Sequence, residues 1–125
     1  MENMDSHVCH IMCSDEDRTA VEDLIVYINT RKELVVRLDH TDYENARRNR
    51  STLAVVPDDD TSRLAERLDV TLSELPDCIG ECMDRWTHIV NPGFRHVRNC
   101  FKEITECLLD EGCRFRIHTH SRRLS

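Results

Sequence analysis

Glycine and proline are scarce in this sequence, which has three of each in 125 residues. So few turn formers argue against a turn-rich β-sandwich and against a glycine-rich loop that cradles phosphates. No apolar run approaches the roughly 20 residues that span a bilayer, and the first ten residues lack the basic and apolar parts of a signal peptide. No serine-hydrolase or zinc-protease motif is present. These absences predict a protein that is neither an enzyme nor a membrane protein.

Charge is what the sequence has in quantity: 33% of the residues are Asp, Glu, Lys or Arg, and the net charge is −7. The excess of acid disfavours binding to nucleic acid or to an anionic membrane surface. The length predicts one domain over 1–125, with terminal segments at 1–13 and 113–125. Seven cysteines, an odd number without regular spacing, are typical of reduced thiols and predict a cytoplasmic or nuclear protein.

Apolar residues recur at helical spacing along most of the chain. They predict an all-α fold, a compact bundle of about five helices with a short basic C-terminal tail. The start signals include Ser14 as an N-cap and a capping box from Thr41 to Glu44. The predicted helices cover 14–38, 41–55, 61–68, 73–90 and a last segment that starts at Pro92 and ends before Gly112.

The first of these helices has an alternative. Residues 23–28 and 33–38 are rich in Ile and Val, and they would also form a β-hairpin across 29–32. The connection lacks the Asn-Gly or Asp-Gly pair that is typical of a tight hairpin turn. We therefore favour the helix and leave the hairpin over 23–38 open.

A helix over 14–38 would be apolar on two sides, because Val26, Tyr27 and Val36 fall outside its main apolar stripe. A surface helix of a small monomer needs only one apolar side. The second side predicts a binding surface for an amphipathic helix of a partner protein or for a second copy of the chain. The predicted function is that of a non-enzymatic, intracellular regulatory protein that binds another protein through an apolar helix face or groove.

A zinc-stabilised module is a further hypothesis. The N-terminal segment contains HVCHIMC with Cys9 and Cys13, and the C-terminal segment contains Cys113, His118 and His120. Zinc takes four nitrogen or sulfur ligands, and either cluster alone could supply three of them. Neither cluster has a paired C-x₂-C spacing, and an up-and-down bundle of five helices separates the two termini. We therefore predict no cofactor and keep zinc as the alternative.

Residues 61–75, TSRLAERLDVTLSEL, are similar to the helix-turn-helix pattern of DNA-binding proteins, with apolar residues at the expected places. Asp69 stands where that pattern has glycine, and Pro76 falls inside the segment that would be the recognition helix. The acidic residues 58–60 precede the pattern, where they would repel phosphates. A DNA-binding function is thus a hypothesis that the local charge opposes.

Residues 90–97, VNPGFRHV, resemble the Val-Asn-Trp-Gly-Arg-Ile-Val signature of the apoptosis-regulator family whose groove captures death-motif helices. Asn91, Gly93 and Arg95 match the signature, Phe94 is an insertion, and Pro92 replaces the tryptophan. The resemblance implies an all-α fold and a groove that binds a partner helix. It places Gly93 and Arg95 at that partner site.

Overall fold

The computed structural model describes residues 9–14, 19–87 and 94–121. In these residues the chain forms one antiparallel sheet of five strands, in the spatial order β1-β2-β3-β4-β5, and three α-helices. The helices follow β4 in the chain and precede β5. The strands are β1 (Cys9–Ser14), β2 (Ala20–Ile28), β3 (Leu34–Asp42), β4 (Arg50–Val56) and β5 (Arg116–Ser121). The helices are α1 (Asp58–Leu68), α2 (Leu75–Thr87) and α3 (Phe94–Asp110).

The prediction of an all-α bundle of five helices is therefore wrong. The segment 14–38, predicted as one helix, contains β2 and most of β3, which pair as the hairpin that we left open. The all-α fold implied by the resemblance to apoptosis regulators is contradicted by the same sheet. The segment predicted as a basic tail contributes β5, which pairs with β4.

The turn between β2 and β3 explains why the sequence favoured a helix over the hairpin. The amide nitrogens of Arg31 and Glu33 donate to Asn29 Oδ1 at 2.9 and 3.0 Å. Lys32 takes a left-handed conformation with φ 64°, the place that a glycine commonly fills in a three-residue hairpin loop. A side-chain amide thus organises the turn, so no Asn-Gly or Asp-Gly pair is needed.

The second predicted helix, over 41–55, is also wrong. The expected cap does not form, because the amides of Glu44 and Asn45 donate to Asp42 Oδ1 instead, both at 2.9 Å. A short 3₁₀ helix, Ala46–Arg48, follows, and β4 begins at Arg50. Pairing between β3 and β4 satisfies the backbone groups that a helix would have satisfied internally.

The three remaining helices are confirmed as α1, α2 and α3. Asp69 ends α1 in the left-handed conformation, with φ 57°, that glycine takes in the helix-turn-helix pattern. Gly112 follows α3 with φ 83°, and the amide of Cys113 donates to Leu108 O at 3.0 Å, as expected for a glycine C-cap. The predicted start of the last helix at Pro92 lies outside the described residues. None of the described helices is long and apolar enough to cross a membrane.

One face of the sheet changes from apolar to polar along its strands. Residues paired directly between antiparallel strands lie on the same face. The rows of this inner face across β2, β3 and β4 are Ile28 with Leu34 and Val56, Val26 with Val36 and Ala54, Leu24 with Leu38 and Thr52, and Glu22 with His40 and Arg50. The apolar rows share one core with the buried side of the helices, which includes Leu64, Leu75, Val97, Ile104 and Leu108.

Two adjacent leucines of α3 test this arrangement. Leu108 is 1% exposed in the core, whereas Leu109 is 59% exposed. Leu108→Ala should lower the free energy of unfolding by about 2–5 kcal/mol, because it leaves a cavity between α3 and the sheet. Leu109→Ala should lower it by less than about 0.5 kcal/mol. Urea denaturation of both variants measures the difference, and equal effects would contradict the placement of α3.

Candidate functional site

A pocket opens at the polar end of the inner face. The row of Glu22, His40 and Arg50 crosses three neighbouring strands, and Leu38 and Thr52 form the row beside it. The pocket encloses about 310 Å³, at the small end of the range of roughly 300–1,000 Å³ for ligand pockets. Its lining consists of Glu22, Leu38, His40, Arg48, Arg50, Thr52 and Arg98. The strand register therefore places a polar pocket at one end of the otherwise apolar inner face.

Glu22 is the buried charge of the pocket, with a side chain that is 2% exposed. Arg98 of α3 donates to both of its carboxylate oxygens, with Nε 3.0 Å from Oε1 and Nη2 2.6 Å from Oε2. His40 Nδ1 lies 2.8 Å from Oε2. The hydrogen bond to Glu22 raises the pKa of the Arg98 guanidinium above its usual value. A buried carboxylate needs such compensation, and this contact also ties the N-terminal half of α3 to β2.

Arg48 and Arg50 differ from Arg98 in having no such partner. Neither guanidinium makes a hydrogen bond or an ion pair within the part of the chain that the structure describes, although both line the pocket. The lining has three arginines and one glutamate, so its net charge is +2 with His40 neutral. Because Glu22 offsets Arg98, the excess positive charge resides on Arg48 and Arg50. Such a pocket favours an anion, above all one that accepts from several guanidinium groups.

Side-chain hydrogen bonds organise the backbone of the connection from β3 to β4, which carries these two arginines. Asn49, between them, is 0% exposed, and its Oδ1 accepts from the amide of Asp42 at 2.6 Å. Asn45 caps the 3₁₀ helix by accepting from the amide of Arg47 at 3.1 Å. Asn49 Nδ2 is buried without a hydrogen-bond partner in the described residues. The loop is therefore organised by its own side chains before any ligand is bound.

The residues predicted to bind a partner do not form one surface. Val26 and Val36 are cross-strand neighbours with 0% exposure, and both belong to the core. Tyr27 is half-buried and follows Val26 in β2, so it lies on the opposite face of the sheet. Of the residues taken from the apoptosis-regulator resemblance, Gly93 lies outside the described residues. Arg95 lies in α3, but its side chain is not among those described.

The residues predicted as zinc ligands are divided between opposite edges of the sheet. Cys9 and Cys13 are in β1, whereas His118 and His120 are in β5, four strand spacings or roughly 19 Å away. One ion cannot bind ligands from both strands at that distance. Within the ranges that the structure describes, no cluster of three or more His, Cys, Asp or Glu is placed to hold a metal.

Cys113, the remaining predicted ligand, is buried beside the end of α3, with 6% exposure. Burial raises the pKa of its thiol, and the negative charge of Glu111 raises it further. Zinc binds the thiolate, so this environment disfavours Cys113 as a ligand. Four described cysteines are unbridged: Cys78, Cys100, Cys107 and Cys113.

Sequence reasoning missed the pocket because it treated its residues one by one. His40 belongs to no motif in the sequence, and Arg50 lies within the segment 41–55 that was predicted as a helix. The alternation of residues along the strands does contain a signal. Glu22 lies two residues from Leu24 in β2, and His40 lies two residues from Leu38 in β3, so each polar residue shares a face with an apolar one. No pattern in the sequence indicates that Arg98, 76 residues from Glu22, closes the same site.

Comparisons with known protein families, with curated proteins and with solved structures find no match to this chain. No relative therefore supplies a function by analogy. The proposal of a function therefore depends on the pocket itself: its charge, its volume and the two guanidinium groups that have no partner in the described part of the chain.

Two arginines of similar exposure test the ion pair in the pocket. Arg98 is 57% exposed and binds the buried Glu22, whereas Arg67 is 62% exposed and binds Glu111, which is itself 38% exposed. Arg98→Met should lower the free energy of unfolding by about 1–3 kcal/mol, because it strips donors from a buried carboxylate. Arg67→Met should cost less than about 1 kcal/mol, since both partners are hydrated. Chemical denaturation measures the free energy of unfolding of both variants. An Arg98→Met variant as stable as the wild type would contradict the role given to Glu22.

Proposed function

We propose that this chain is a non-enzymatic binding protein whose pocket takes the phosphate group of a small organic molecule. The observation that carries the proposal is a pair of guanidinium groups, those of Arg48 and Arg50, which line the pocket and have no hydrogen-bond or ion-pair partner among the described residues. The carboxylate of the same pocket is already compensated by Arg98. A phosphate monoester carries about two negative charges near neutral pH, which matches the two excess positive charges of the lining. Guanidinium forks bind such oxygens in pairs.

The rest of the pocket supports an organic ligand over a bare ion. Leu38 provides an apolar part of the wall, and Thr52 lies in the same row of the sheet. A volume of about 310 Å³ accommodates several heavy atoms in addition to the phosphate. Apolar surface buried by the ligand would add to the charge-assisted hydrogen bonds.

Binding without catalysis is favoured by the side chains present. The described lining contains no cysteine or serine, and its one histidine is bonded to Glu22. The hydroxyl group of Thr52 is hydrogen-bonded to Thr119 and has no histidine recorded beside it to act as its base. For the same protein we propose a reducing compartment, the cytoplasm or nucleus, because the four cysteines whose side chains the structure describes form no disulfide.

Calorimetric titration with phenyl phosphate, inorganic phosphate and benzoate tests the proposal. Phenyl phosphate should bind most tightly, since it alone combines the dianion with an apolar group. Arg50→Gln and Arg48→Gln should each weaken its binding about 10-fold or more, as expected for the loss of charge-assisted hydrogen bonds. If benzoate binds most tightly, the pocket recognises a carboxylate and the phosphate proposal is wrong.

Arg47→Gln is the matched control for these variants. Arg47 is exposed in the same 3₁₀ helix, carries the same charge and does not line the pocket. The control should change the affinity for phenyl phosphate less than about twofold, because at a moderate ionic strength exposed charges outside the pocket are screened. Equal losses in Arg47→Gln and Arg48→Gln, or no measurable binding of phenyl phosphate to the wild type, would refute a phosphate site in this pocket.

A further inference from the structure

The inner face of the sheet continues beyond the phosphate pocket onto β5. Residues of β5 that pair directly with inner-face residues of β4 lie on the same face: Thr119 pairs with Thr52, and Ile117 pairs with Ala54. α3 packs over β1, β2 and β3, and the side chains of Thr119 and Ile117 are exposed. We call the surface formed by Thr52, Thr119 and Ile117 the shelf. It borders the pocket, because Thr52 also belongs to the pocket lining.

The shelf changes from polar to apolar with distance from the arginines. Arg50, Thr52 and Ala54 are alternate residues of β4, so their rows follow one another at a spacing of about 6.8 Å. The row next to Arg50 contains Thr52 and Thr119. The row after that contains Ile117. A ligand that extends from the arginines along β4 and β5 therefore meets hydroxyl groups first and an apolar side chain second.

The two threonines offer both a hydrogen-bond donor and an acceptor. Thr119 Oγ1 donates to Thr52 Oγ1 at 3.3 Å. The hydroxyl hydrogen of Thr52 then has no acceptor among the described residues, and Thr119 Oγ1 accepts no hydrogen bond from them. A hydroxyl group carries one donor and two acceptor lone pairs. The pair is thus suited to a ligand hydroxyl, which also donates and accepts.

Ile117 forms the apolar end of the shelf, with 51% of its surface exposed. A flat ring placed on it would remove apolar surface of both groups from water. An alkyl chain would cover the same isoleucine, but it would also cover the two threonine hydroxyls without hydrogen-bonding to them, which costs free energy. The shelf therefore favours a ligand that has hydroxyl groups in its middle and a ring at its end.

We propose that the ligand is a nucleoside monophosphate, an inference that rests on the phosphate site at Arg48 and Arg50. The phosphate binds these two arginines. The ribose hydroxyls exchange hydrogen bonds with Thr52 and Thr119, and the base lies on Ile117. The order of phosphate, sugar and base along the molecule matches the order of charged, hydroxyl and apolar side chains along the sheet.

Calorimetric titration of the full chain with four phosphates tests the assignment: adenosine 5′-monophosphate, ribose 5-phosphate, hexyl phosphate and inorganic phosphate. The nucleotide should bind about 10-fold more tightly than ribose 5-phosphate, because only its base covers Ile117. Hexyl phosphate binding as tightly as the nucleotide would overturn the proposal in favour of an alkyl phosphate. Equal affinities for the nucleotide and inorganic phosphate would overturn the role of the shelf and leave the phosphate site intact. No binding of any of the four would overturn both.

A matched pair of variants locates the base. Ile117→Ser should weaken binding of adenosine 5′-monophosphate about fivefold and change that of ribose 5-phosphate less than twofold, because it removes only the apolar end of the shelf. Leu109→Ser is the control, since Leu109 is 59% exposed on α3 and does not line the pocket. It should leave both affinities unchanged. Equal losses in the two variants would overturn the placement of the base.

A double-mutant cycle between protein and ligand locates the sugar. The wild type should bind 2′,3′-dideoxyadenosine 5′-monophosphate about fivefold more weakly than the parent nucleotide, because the ligand has lost its hydroxyls. Thr119→Val keeps the shape of an exposed side chain and removes its hydroxyl, so the same ratio should fall below about twofold. A ratio that stays the same in the variant would overturn the contact between the ribose and the threonine pair.

Discussion

The buried carboxylate of Glu22 is the constraint on which the site depends. Its side chain lies in the same face of β2 as core residues such as Leu24, and it is 2% exposed. A charge in that place needs donors, and the fold supplies them from α3 through Arg98 and from β3 through His40. Three elements are joined at this point, so the helix cannot shift along the sheet without breaking contacts to a buried charge.

The charge balance of the pocket follows from that constraint. Arg98 is engaged by Glu22, which leaves Arg48 and Arg50 as the groups available for an external anion. The helices cover the apolar rows of the inner face, and the polar row at its end borders the opening. The buried Asn49 fixes the backbone of the β3–β4 connection between the two arginines. Pre-organisation of this kind lowers the ordering cost of binding.

Local sequence signals predicted the helical half of the fold correctly. The apolar stripe of α3 and its glycine cap at Gly112 depend on contacts within a few residues, and the structure confirms both. The strands were misassigned because Val, Ile and Leu at 24–38 satisfy a helical period as well as an alternating one. The hairpin is possible without a glycine because the side chain of Asn29 accepts hydrogen bonds from two amides of the turn.

The sequence by itself determined the composition of the faces. Alternate residues of β2, β3 and β4 change from Ile and Val at one end to Glu, His and Arg at the other, and this order is a property of the amino-acid sequence. Only the tertiary structure decided which of these residues meet. Strand register places Glu22 beside His40, and packing of α3 brings Arg98 to both. The same register sends Cys13 and His118 to opposite edges. Contacts between residues far apart in the chain depend on how the elements pack, which local periodicity does not encode.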